Sequence, residues 1–280
     1  MNINIEGRSL GRENPAYIIA EAGLNHGGDL ELAKKMIIAA AVSGADAIKF
    51  QAFDTDQRFG DDTETLSLVR PAEFHEQQFK ELMNTAKENN ITFFSTAFDN
   101  DRVDMLYDMG VQLFKVASCD VQNEKLLKKV ASTQIPVILS TGTANVEEII
   151  AATNIFEKNK SPYALLHCVS SYPLNPENAN LKAIKSLKGR FDVAIGYSDH
   201  TTGIEVPISS IYSGAQIIEK HFTLAKELRG IDWEISASPS ELTIMIEGVR
   251  RAEQILGSGS LESSACEEEE LQYRNLLRDN

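Results

Sequence analysis

The segment AYIIAEAGLNHGGDLELAKKMIIAAAVSGADAIKFQAF, residues 16–53, holds a short apolar run, a longer periodic stretch and a second short apolar run. The runs AYIIAEAG (16–23) and AIKFQAF (47–53) are rich in β-branched or aromatic residues, which favour β-strands. Between them, DLELAKKMIIAAAVSG repeats apolar residues at helical spacing and stops at Gly44, a residue type that commonly ends helices. The segment therefore predicts one strand–helix–strand unit of a parallel sheet.

The same alternation continues along the chain. Six further strand-like runs follow, separated by polar or glycine breaks and helical segments: ITFFSTAF (91–98), LFKVASCD (113–120), PVILSTGT (136–143), YALLHCVSSY (163–172), FDVAIGYSDH (191–200) and AQIIEKHF (215–222). Eight units in about 250 residues match the count and size of a (β/α)8 barrel, whereas an open doubly wound sheet usually has fewer strands. The predicted fold class is α/β, a (β/α)8 TIM barrel.

Three segments lie outside these units. Residues 2–14 are predicted to form a hairpin-like N-terminal extension that plugs the barrel floor. The polar loop from Asp54 to Pro71 follows the second strand and so lies at the rim, either as a lid or as a disordered surface excursion. Residues 1–257 are expected to form the barrel domain, and residues 258–280 a linker and an acidic helical tail, with no second domain.

Composition limits the expected partners. With 41 acidic against 27 basic residues, the formal net charge is −14, which repels phosphate backbones and anionic membrane surfaces. Nucleic acid and membranes are therefore not expected partners, although a local basic pocket can still hold a small anion. The cysteines Cys119, Cys168 and Cys266 are too few and too scattered for a disulfide framework. With no apolar leader or spanning segment in the sequence, we expect a soluble, cytoplasmic protein.

Polar residues recur at the carboxyl ends of all eight predicted strands. These ends converge on one mouth of a barrel, where polar side chains cost packing and so indicate function. In strand order the set is Glu21 with Asn25 and His26, Lys49 and Gln51, Ser95 and Thr96, Lys115 and Ser118, Ser140 and Thr141, His167 and Ser170, Ser198 with Asp199 and His200, and Glu219 and His221. Eight polar strand ends in register are hard to explain by packing alone.

Two of the histidines close neighbouring strands. His200 and His221 end the seventh and eighth strands, which stand about 5 Å apart in a sheet, so one ion can reach both imidazoles. The pair indicates either a two-histidine metal site or two hydrogen-bonded interior histidines. Asp199 and Glu219, close to them in sequence, are expected to point away from the mouth, where they would orient the imidazoles.

Two lysines are predicted to point into the barrel. Lys49 and Lys115 each lie in a strand between apolar residues, and a buried ammonium costs several kcal/mol unless it is paired. Either Glu21 and its neighbours neutralise them permanently, or the lysines clamp a phosphate or carboxylate of a substrate, with hydroxyls beyond strands four and five as further donors. A Schiff-base lysine is a third alternative.

Six strings in this order and spacing resemble the N-acetylneuraminate (sialic acid) synthase family: AEAGLNHGG, IKFQAF, FKVASCD, ILSTGT, GYSDHT and IIEKHFTL. The resemblance extends from about Tyr17 to Leu256, essentially the whole barrel. Members of that family condense phosphoenolpyruvate with an N-acetylated hexosamine or related aldose, release phosphate and lengthen the sugar by three carbons. The resemblance implies a transferase of carbohydrate and polysaccharide biosynthesis that makes a nonulosonic-type sugar acid.

The resemblance also implies a role for individual residues. Glu21, Lys49, Lys115, His200 and His221 would be catalytic, with Glu21 as the general acid or base. His200 and His221 would bind a divalent ion, Mn2+ or Mg2+, that polarises the aldehyde of the acceptor. Phosphoenolpyruvate would be held by Lys49, Thr96, Lys115, Ser118 and Ser140, with Ser198 beside them, and the remaining substrate-binding residues would be Gln51, Asp120, Ser170, Tyr172 and Asp232.

The sequence departs from the family pattern on the sugar side. Members usually continue into an antifreeze-like domain that reaches across a dimer to the sugar, whereas this chain is expected to be the barrel alone. A homodimer or a separate partner chain would then complete the sugar site. The family's Ser-Gly-Glu reads Ser118, Cys119, Asp120, an asparagine reads Ser170, and Pro-Gly-Pro-Asp reads Arg229, Gly230, Ile231, Asp232. Two alternatives stay open: a Schiff-base class I aldolase or lyase, and a non-catalytic metabolite-binding barrel.

Overall fold

A computed structural model describes residues 3–11, 14–59, 63–262 and 265–278. Two short antiparallel strands come first, β1 (Ile3–Ile5) and β2 (Arg8–Leu10). Eight parallel strands follow: β3 (Tyr17–Gly23), β4 (Ala47–Ala52), β5 (Thr92–Ala97), β6 (Phe114–Val116), β7 (Val137–Ser140), β8 (Tyr163–Cys168), β9 (Ile195–Asp199) and β10 (Ile217–His221). They close into a barrel in chain order, β10 pairing with β3, which confirms the predicted (β/α)8 fold.

Helices lie between the strands and after the last strand. They are α1 (Leu30–Val42), α2 (Thr55–Phe59), α3 (Thr63–Val69), α4 (Glu76–Glu88), α5 (Asn100–Asp108), α6 (Glu124–Ser132), α7 (Val146–Lys158), α8 (Lys182–Arg190), α9 (Glu205–Ser210), α10 (Pro239–Leu256) and α11 (Glu268–Arg278). Local capping explains several starts: Asp29 accepts from the first backbone N–H groups of α1, and Ser238 and Glu241 form a capping box at α10.

The N-terminal hairpin closes the floor of the barrel, as predicted. Ile3, Ile5 and Leu10 are buried and pack in one cluster with the inward residues Tyr17 and Ile19 of β3 and their counterparts on the other strands. This apolar layer fills the amino-terminal end of the barrel, and the polar inward residues of the strands lie at the carboxyl end. Residues 2, 12 and 13 of the predicted hairpin lie outside the described residues.

The segment between β4 and α4 is helical in its described part and packs against the barrel. Glu73 accepts a hydrogen bond from the Thr55 backbone N–H at 3.1 Å and pairs with Arg102 at 3.2 Å. Gly28 has a φ of +85°, and a Cβ there would lie 1.7 Å from the Pro71 carbonyl oxygen, so this close approach requires glycine. The described residues of the predicted loop are therefore ordered at the rim, and residues 60–62 lie outside them.

The C-terminal segment continues beyond the eighth helix of the barrel. Helix α10 ends at Leu256, one residue before the predicted end of the barrel domain, and α11 follows from Glu268. The division of the chain at residue 257 stays a prediction, and residues 263, 264, 279 and 280 of the tail lie outside the described part. Within the described part, no helix has both the length and the apolar character needed to cross a bilayer.

Candidate active site

The strand register brings the polar residues of the mouth side by side. Successive residues of a strand face opposite sides, so Glu21 of β3 and Lys49 of β4, which are paired across the two strands, both point into the barrel. On the other side of β3, Glu21 is paired with His221 of β10. Thr96 of β5 is likewise paired with Lys115 of β6. One ring of inward side chains therefore holds carboxylate, ammonium, hydroxyl and imidazole groups.

Two lysines and two glutamates form a buried cluster in this ring. Lys49 Nζ lies 2.8 Å from Glu21 Oε2 and 3.5 Å from Glu219 Oε2, and it donates to Thr96 Oγ1 at 3.0 Å. Lys115 Nζ lies 3.8 Å from Glu219 Oε1. All five side chains are buried. Opposite charges inside the barrel thus compensate each other, as a low-dielectric site requires.

Neighbouring hydrogen bonds orient the two carboxylates of this cluster. Gln51 Nε2 donates to Glu21 Oε1 at 3.0 Å. Ser198 Oγ donates to Glu219 Oε1 at 2.9 Å. Both donors lie at positions that the sequence places at the mouth, and both hold a carboxylate toward the lysines.

The four ionisable side chains of the cluster differ in the direction of their pKa shifts. Burial raises the pKa of Glu21, and Lys49 opposes this shift only in part while Glu219 adds to it. Burial alone would lower the pKa of Lys49, but Glu21 and Glu219 together raise it. Burial lowers the pKa of Lys115, and Glu219 only partly opposes this. Despite burial, Lys115 and Lys49 keep the pKa of Glu219 below its usual value. Glu21 is therefore the carboxylate most ready to take up a proton.

The predicted outward orientation of Glu219 is wrong, whereas that of Asp199 is correct. Glu219 lies two residues before the inward His221, so the alternation of a strand places both on the same, inner face. Asp199 precedes His200 by one residue and faces outward, where it accepts a hydrogen bond from Lys220 Nζ at 2.6 Å. Glu219 is thus part of the inner cluster and not a support behind the imidazoles.

The imidazoles of His200 and His221 lie together at the mouth, with ring centroids 5.7 Å apart. His200 Nδ1 lies 2.8 Å from the Val169 carbonyl oxygen, which can only accept, so Nδ1 carries the hydrogen and Nε2 keeps its lone pair. His221 Nδ1 is buried without a hydrogen bond and lies 3.5 Å from Asp232 Oδ2. Burial lowers the pKa of both histidines, and neighbouring His200 lowers that of His221 further.

These two side chains fit a divalent ion. Metal ligation requires neutral imidazoles with a free nitrogen, and the lowered pKa values and the buried, unbonded Nδ1 of His221 meet that requirement. Imidazole nitrogens bind divalent transition-metal ions, and Mn2+ or Mg2+ would take most of the remaining ligands from oxygen atoms. Among the described residues, no group of three or more histidine, cysteine, aspartate or glutamate side chains is arranged to hold an ion, so water or substrate oxygens would complete the coordination.

Hydroxyl groups surround a concave position at Gly142, next to the lysines. A Cβ on Gly142 would lie 2.5 Å from Ser170 Oγ, 2.7 Å from Cys168 Sγ and 3.1 Å from Ser118 Oγ. Ser140 Oγ is buried without a hydrogen-bond partner. The space that glycine leaves open is therefore lined by small polar atoms, and sequence patterns alone did not single out Gly142 or the inward Cys168.

The remaining predicted residues lie at the rim. Tyr172 stacks near His200, with ring centroids 4.1 Å apart, and is more than half exposed. Asp232 follows β10 on a loop anchored by Asn25, whose Oδ1 accepts from the Asp232 backbone N–H at 3.3 Å. Burial raises the pKa of Asp232 to about 6. Asp120, in a turn after β6, pairs with an arginine described below.

Two histidines that the sequence places at the mouth lie elsewhere. His167 faces outward from β8 and bonds the Ala179 carbonyl oxygen at 2.9 Å. His26 stacks on Phe74, with ring centroids 4.3 Å apart, beneath the segment that precedes α4. Thr141 also lies outside the cluster, because its hydroxyl donates to the Leu166 carbonyl oxygen. These side chains satisfy the packing of loops and strands around the site.

The sequence profile of the NeuB family matches residues 36–261, well over half of the chain. The chain belongs to the NeuB family. Its barrel, ion-paired lysines and paired imidazoles are therefore those of a NeuB protein, and the resemblance inferred from the six sequence strings is confirmed.

Three similar proteins have related names. A crystal structure of N-acetylneuraminic acid (sialic acid) synthetase from Leptospira borgpetersenii serovar Hardjo-bovis, in complex with citrate, matches with a TM-score of 0.97 and 51% identity over 100% of this chain and 98% of that chain. N,N'-diacetyllegionaminic acid synthase of Campylobacter jejuni is 41% identical over 93% of this chain and 82% of the relative. N-acetylneuraminate-9-phosphate synthase of Mus musculus is 35% identical over 93% of this chain and 77% of the relative. Each of the three is named as a synthase or synthetase of an acidic sugar.

Proposed function

We propose that this NeuB barrel condenses phosphoenolpyruvate with an open-chain N-acetylated hexosamine or related aldose, giving a nonulosonic-type sugar acid and phosphate. The observation that carries the proposal is the position of Glu21 in the strand register, between Lys49 on one side and His221 on the other. Groups suited to an anionic substrate and groups suited to a Lewis-acid ion thus share one cavity. The names of the relatives support the same class of reaction.

The lysines would bind phosphoenolpyruvate through its phosphate and carboxylate. Lys49 and Lys115 are paired with Glu21 and Glu219, so the charges of the cluster cancel. An incoming anion would compete with these carboxylates, and protonation of Glu21, whose pKa is raised, leaves the cluster with a net positive charge for the anion. The unbonded hydroxyl of Ser140 is available to donate to the same ligand.

The reaction needs an electron pair from the enol and a proton at the acceptor. C3 of phosphoenolpyruvate attacks the aldehyde carbon, which leaves an oxocarbenium-like C2, and water adds to C2. The resulting tetrahedral hemiketal phosphate then loses phosphate by cleavage of the C–O bond. The lysines hold the enol within reach of the aldehyde, so positioning and electrostatics supply much of the acceleration.

Protons move at both ends of this reaction, and Glu21 would carry them. The acceptor oxygen gains a proton on attack, and the water that adds at C2 loses one. Glu21 is buried beside Lys49 and Gln51, and its raised pKa suits a group that cycles between both protonation states near neutral pH. A divalent ion, Mn2+ or Mg2+, held by His200 and His221 would supply Lewis-acid polarisation of the acceptor aldehyde.

Several further features belong to this proposal. The sugar would contact Tyr172, Asp232, Ser170, Asp120 and Gln51, and the ligands would be small molecules. A homodimer, or a separate chain that completes the sugar site, and a cytoplasmic location are part of the same proposal. The relatives are named for different products, so the proposal covers the class of N-acetylated acceptors.

Phosphate release tests the proposal directly. The protein is incubated with phosphoenolpyruvate, Mn2+ and a panel of N-acetylated hexosamines, with inorganic phosphate and product mass as the two readouts. We expect phosphate release that depends on the acceptor, with a product that has the mass of acceptor plus pyruvate. Metal binding without phosphate release for any acceptor would instead support a non-catalytic, metabolite-binding barrel.

One observation keeps a Schiff-base aldolase as a second candidate. Burial lowers the pKa of Lys115, which increases the share of neutral amine that an imine requires. Borohydride reduction in the presence of pyruvate would then trap a covalent adduct on Lys115, detectable by peptide mass spectrometry. The synthase reaction forms no imine, so an unmodified Lys115 is the expected result.

A further inference from the structure

Arg58 lies at the rim of the mouth in a contact set that the synthase reaction leaves unexplained. It is carried by α2, and its Nη1 lies 3.2 Å from both carboxylate oxygens of Asp120. Its Nη2 donates to Cys119 Sγ at 2.9 Å. The guanidinium carbon lies 4.4 Å from the centre of the Phe98 ring. A charged side chain is thus fixed by three contacts on segments that follow β5 and β6.

Both ends of this contact are held by the fold. Asp120 is almost fully buried in the turn after β6 and also accepts a hydrogen bond from Asn123 Nδ2 at 3.1 Å. Phe98 follows directly after β5, and α2 is anchored through Thr55 and Glu73. A planar guanidinium stacked on an aromatic ring and paired with a carboxylate loses little further entropy on binding a ligand. The site is therefore preorganised.

Further side chains at the rim lie between the Arg58–Asp120 pair and the lysines of the cluster. Ser118 lies two residues before Asp120, and its hydroxyl is 3.3 Å from that of Ser170. Cys168 Sγ donates to Ser118 Oγ at 3.7 Å, and burial raises the pKa of this thiol, which nearby Lys115 opposes only in part. The strand β6, which precedes Asp120, lies four strands from β10 in the closed barrel, so Arg58 and Asp120 border the mouth on the side opposite His221.

The charge of the pair limits what it can bind. The Arg58 side chain is 25% exposed and Asp120 5% exposed, so a ligand mainly reaches the guanidinium, whose charge Asp120 compensates from behind. Arg58 has five N–H donors, of which the contacts above use two, and Asp120 offers acceptor oxygens. A group with both acceptors and donors, such as an acylamino group or vicinal hydroxyls, satisfies the pair. A phosphate dianion would gain little from a guanidinium whose charge Asp120 already compensates, and the nearby carboxylate would repel it.

We propose that Arg58 is a specificity-determining residue, which together with Asp120 binds the uncharged polar end of the acceptor and selects an unphosphorylated aldose. This inference rests on the proposed function, since it concerns the acceptor of the same site. It narrows the substrate class, because the named relatives include a 9-phosphate synthase as well as synthases of free sugar acids.

Steady-state kinetics with N-acetylmannosamine as the probe acceptor tests the role of Arg58. In Arg58→Met the KM for the acceptor should rise about 10- to 100-fold, as for a lost hydrogen bond to a charged group, while the KM for phosphoenolpyruvate changes less than twofold. Arg58→Lys keeps the positive charge but loses the planar guanidinium with its several N–H donors, so it should give an intermediate KM for the acceptor. Arg70→Met is the matched control, because Arg70 pairs with Asp56 on the same segment with both side chains exposed. It should leave both KM values unchanged.

A matched pair of acceptors tests the selection against phosphate. Wild type should prefer N-acetylmannosamine over its 6-phosphate by at least about tenfold in kcat/KM, and Asp120→Asn should reduce that preference. An active wild type whose acceptor KM is unchanged in Arg58→Met, or which prefers the 6-phosphate, would overturn this inference and leave the proposed function standing. A wild type that releases no phosphate with any acceptor would overturn both. Thermal melting of each variant shows whether it still folds. If Arg58→Met does not fold, the kinetic comparison is made with Arg58→Lys.

Discussion

Lys220 and Asp199 form a buried ion pair on the outer face of the barrel wall, with Nζ 2.6 Å from Oδ2, directly behind the two imidazoles. The two residues are also paired in the register of β9 and β10. Each precedes one histidine of the mouth, His200 or His221, in the chain. Lys220 Nζ additionally donates to the Thr201 carbonyl oxygen at 2.6 Å. The pair therefore joins the ends of both histidine-bearing strands.

Removing one member of this pair should destabilise the barrel strongly. Lys220→Met leaves Asp199 buried and uncompensated, which we expect to lower the free energy of unfolding by about 3–5 kcal/mol. Denaturant titration measures the change. Lys226→Met is the control, because Lys226 and Glu241 form a partly exposed pair at 2.8 Å and should contribute at most about 1 kcal/mol. Equal effects in the two variants would show that burial of the Lys220 pair has no special importance.

Glu21→Gln should slow catalysis while keeping the fold. The amide preserves the shape of the side chain but cannot transfer a proton, so kcat should fall about 10²- to 10⁴-fold. The KM for phosphoenolpyruvate should not rise, because the amide removes a carboxylate that competes with the anion for Lys49, while Glu219 and Thr96 remain as neighbours of Lys49. Stopped-flow or steady-state phosphate assays measure both constants. A kcat close to that of wild type would show that Glu21 does not transfer the proton.

His221→Ala should abolish phosphate release and weaken binding of Mn2+. The variant removes the imidazole whose Nδ1 is buried without a hydrogen bond, and one remaining imidazole holds a divalent ion poorly. Calorimetric titration with Mn2+ gives the affinity independently of turnover. His75→Asn is the control, since His75 is the exposed N-cap of α4 and asparagine caps equally well. Unchanged turnover of His221→Ala after treatment with a chelator would contradict the metal role.

His26 should make the stability of the protein depend on pH. Burial lowers the pKa of His26 to about 4, and the Gly28 backbone N–H donates to its Nδ1 at 3.1 Å, which requires a neutral ring. Because the folded-state pKa lies below the unfolded value, this stabilisation is complete above about pH 6.5 and is lost as the pH falls through 4. The loss between pH 7 and 4 is about 3 kcal/mol.

The measurement for His26 is the free energy of unfolding between pH 4 and 7 in wild type and in His26→Asn. The variant should be less stable at neutral pH and should show a flatter pH dependence, because asparagine does not titrate. Parallel pH curves for the two proteins would assign the acid sensitivity to other groups.

Much of the fold and the core of the site could be predicted because both follow from periodicity. Alternation within a strand places Lys49 and Gln51 on one face, and closure in chain order then brings each strand end to the same mouth. The same rule, applied from His221, puts Glu219 inside. The prediction failed there because Glu219 was grouped with Asp199 by its closeness to a histidine and not by its parity along the strand.

The positions of other site residues depend on tertiary contacts, which leave no pattern in the local sequence. His167 has the residue type and strand position of a mouth residue, yet it faces outward because its parity in β8 is that of the helix-facing residues. Arg58 lies in a polar segment without strong periodicity, and only its approach to Asp120, distant in sequence, makes it notable. Gly142 matters through the space it leaves open, which depends on the neighbours that surround it.

The fate of the bridging oxygen of phosphoenolpyruvate tests the central claim most directly. Phosphoenolpyruvate labelled with ¹⁸O at the C–O–P bridge is incubated with protein, Mn2+ and N-acetylated hexosamine acceptors, and the released phosphate is analysed by mass spectrometry. Condensation followed by C–O cleavage predicts labelled phosphate, released only with acceptor and in equal amount to a new sugar acid. Unlabelled phosphate accompanied by pyruvate, or release that does not depend on any acceptor, would contradict it.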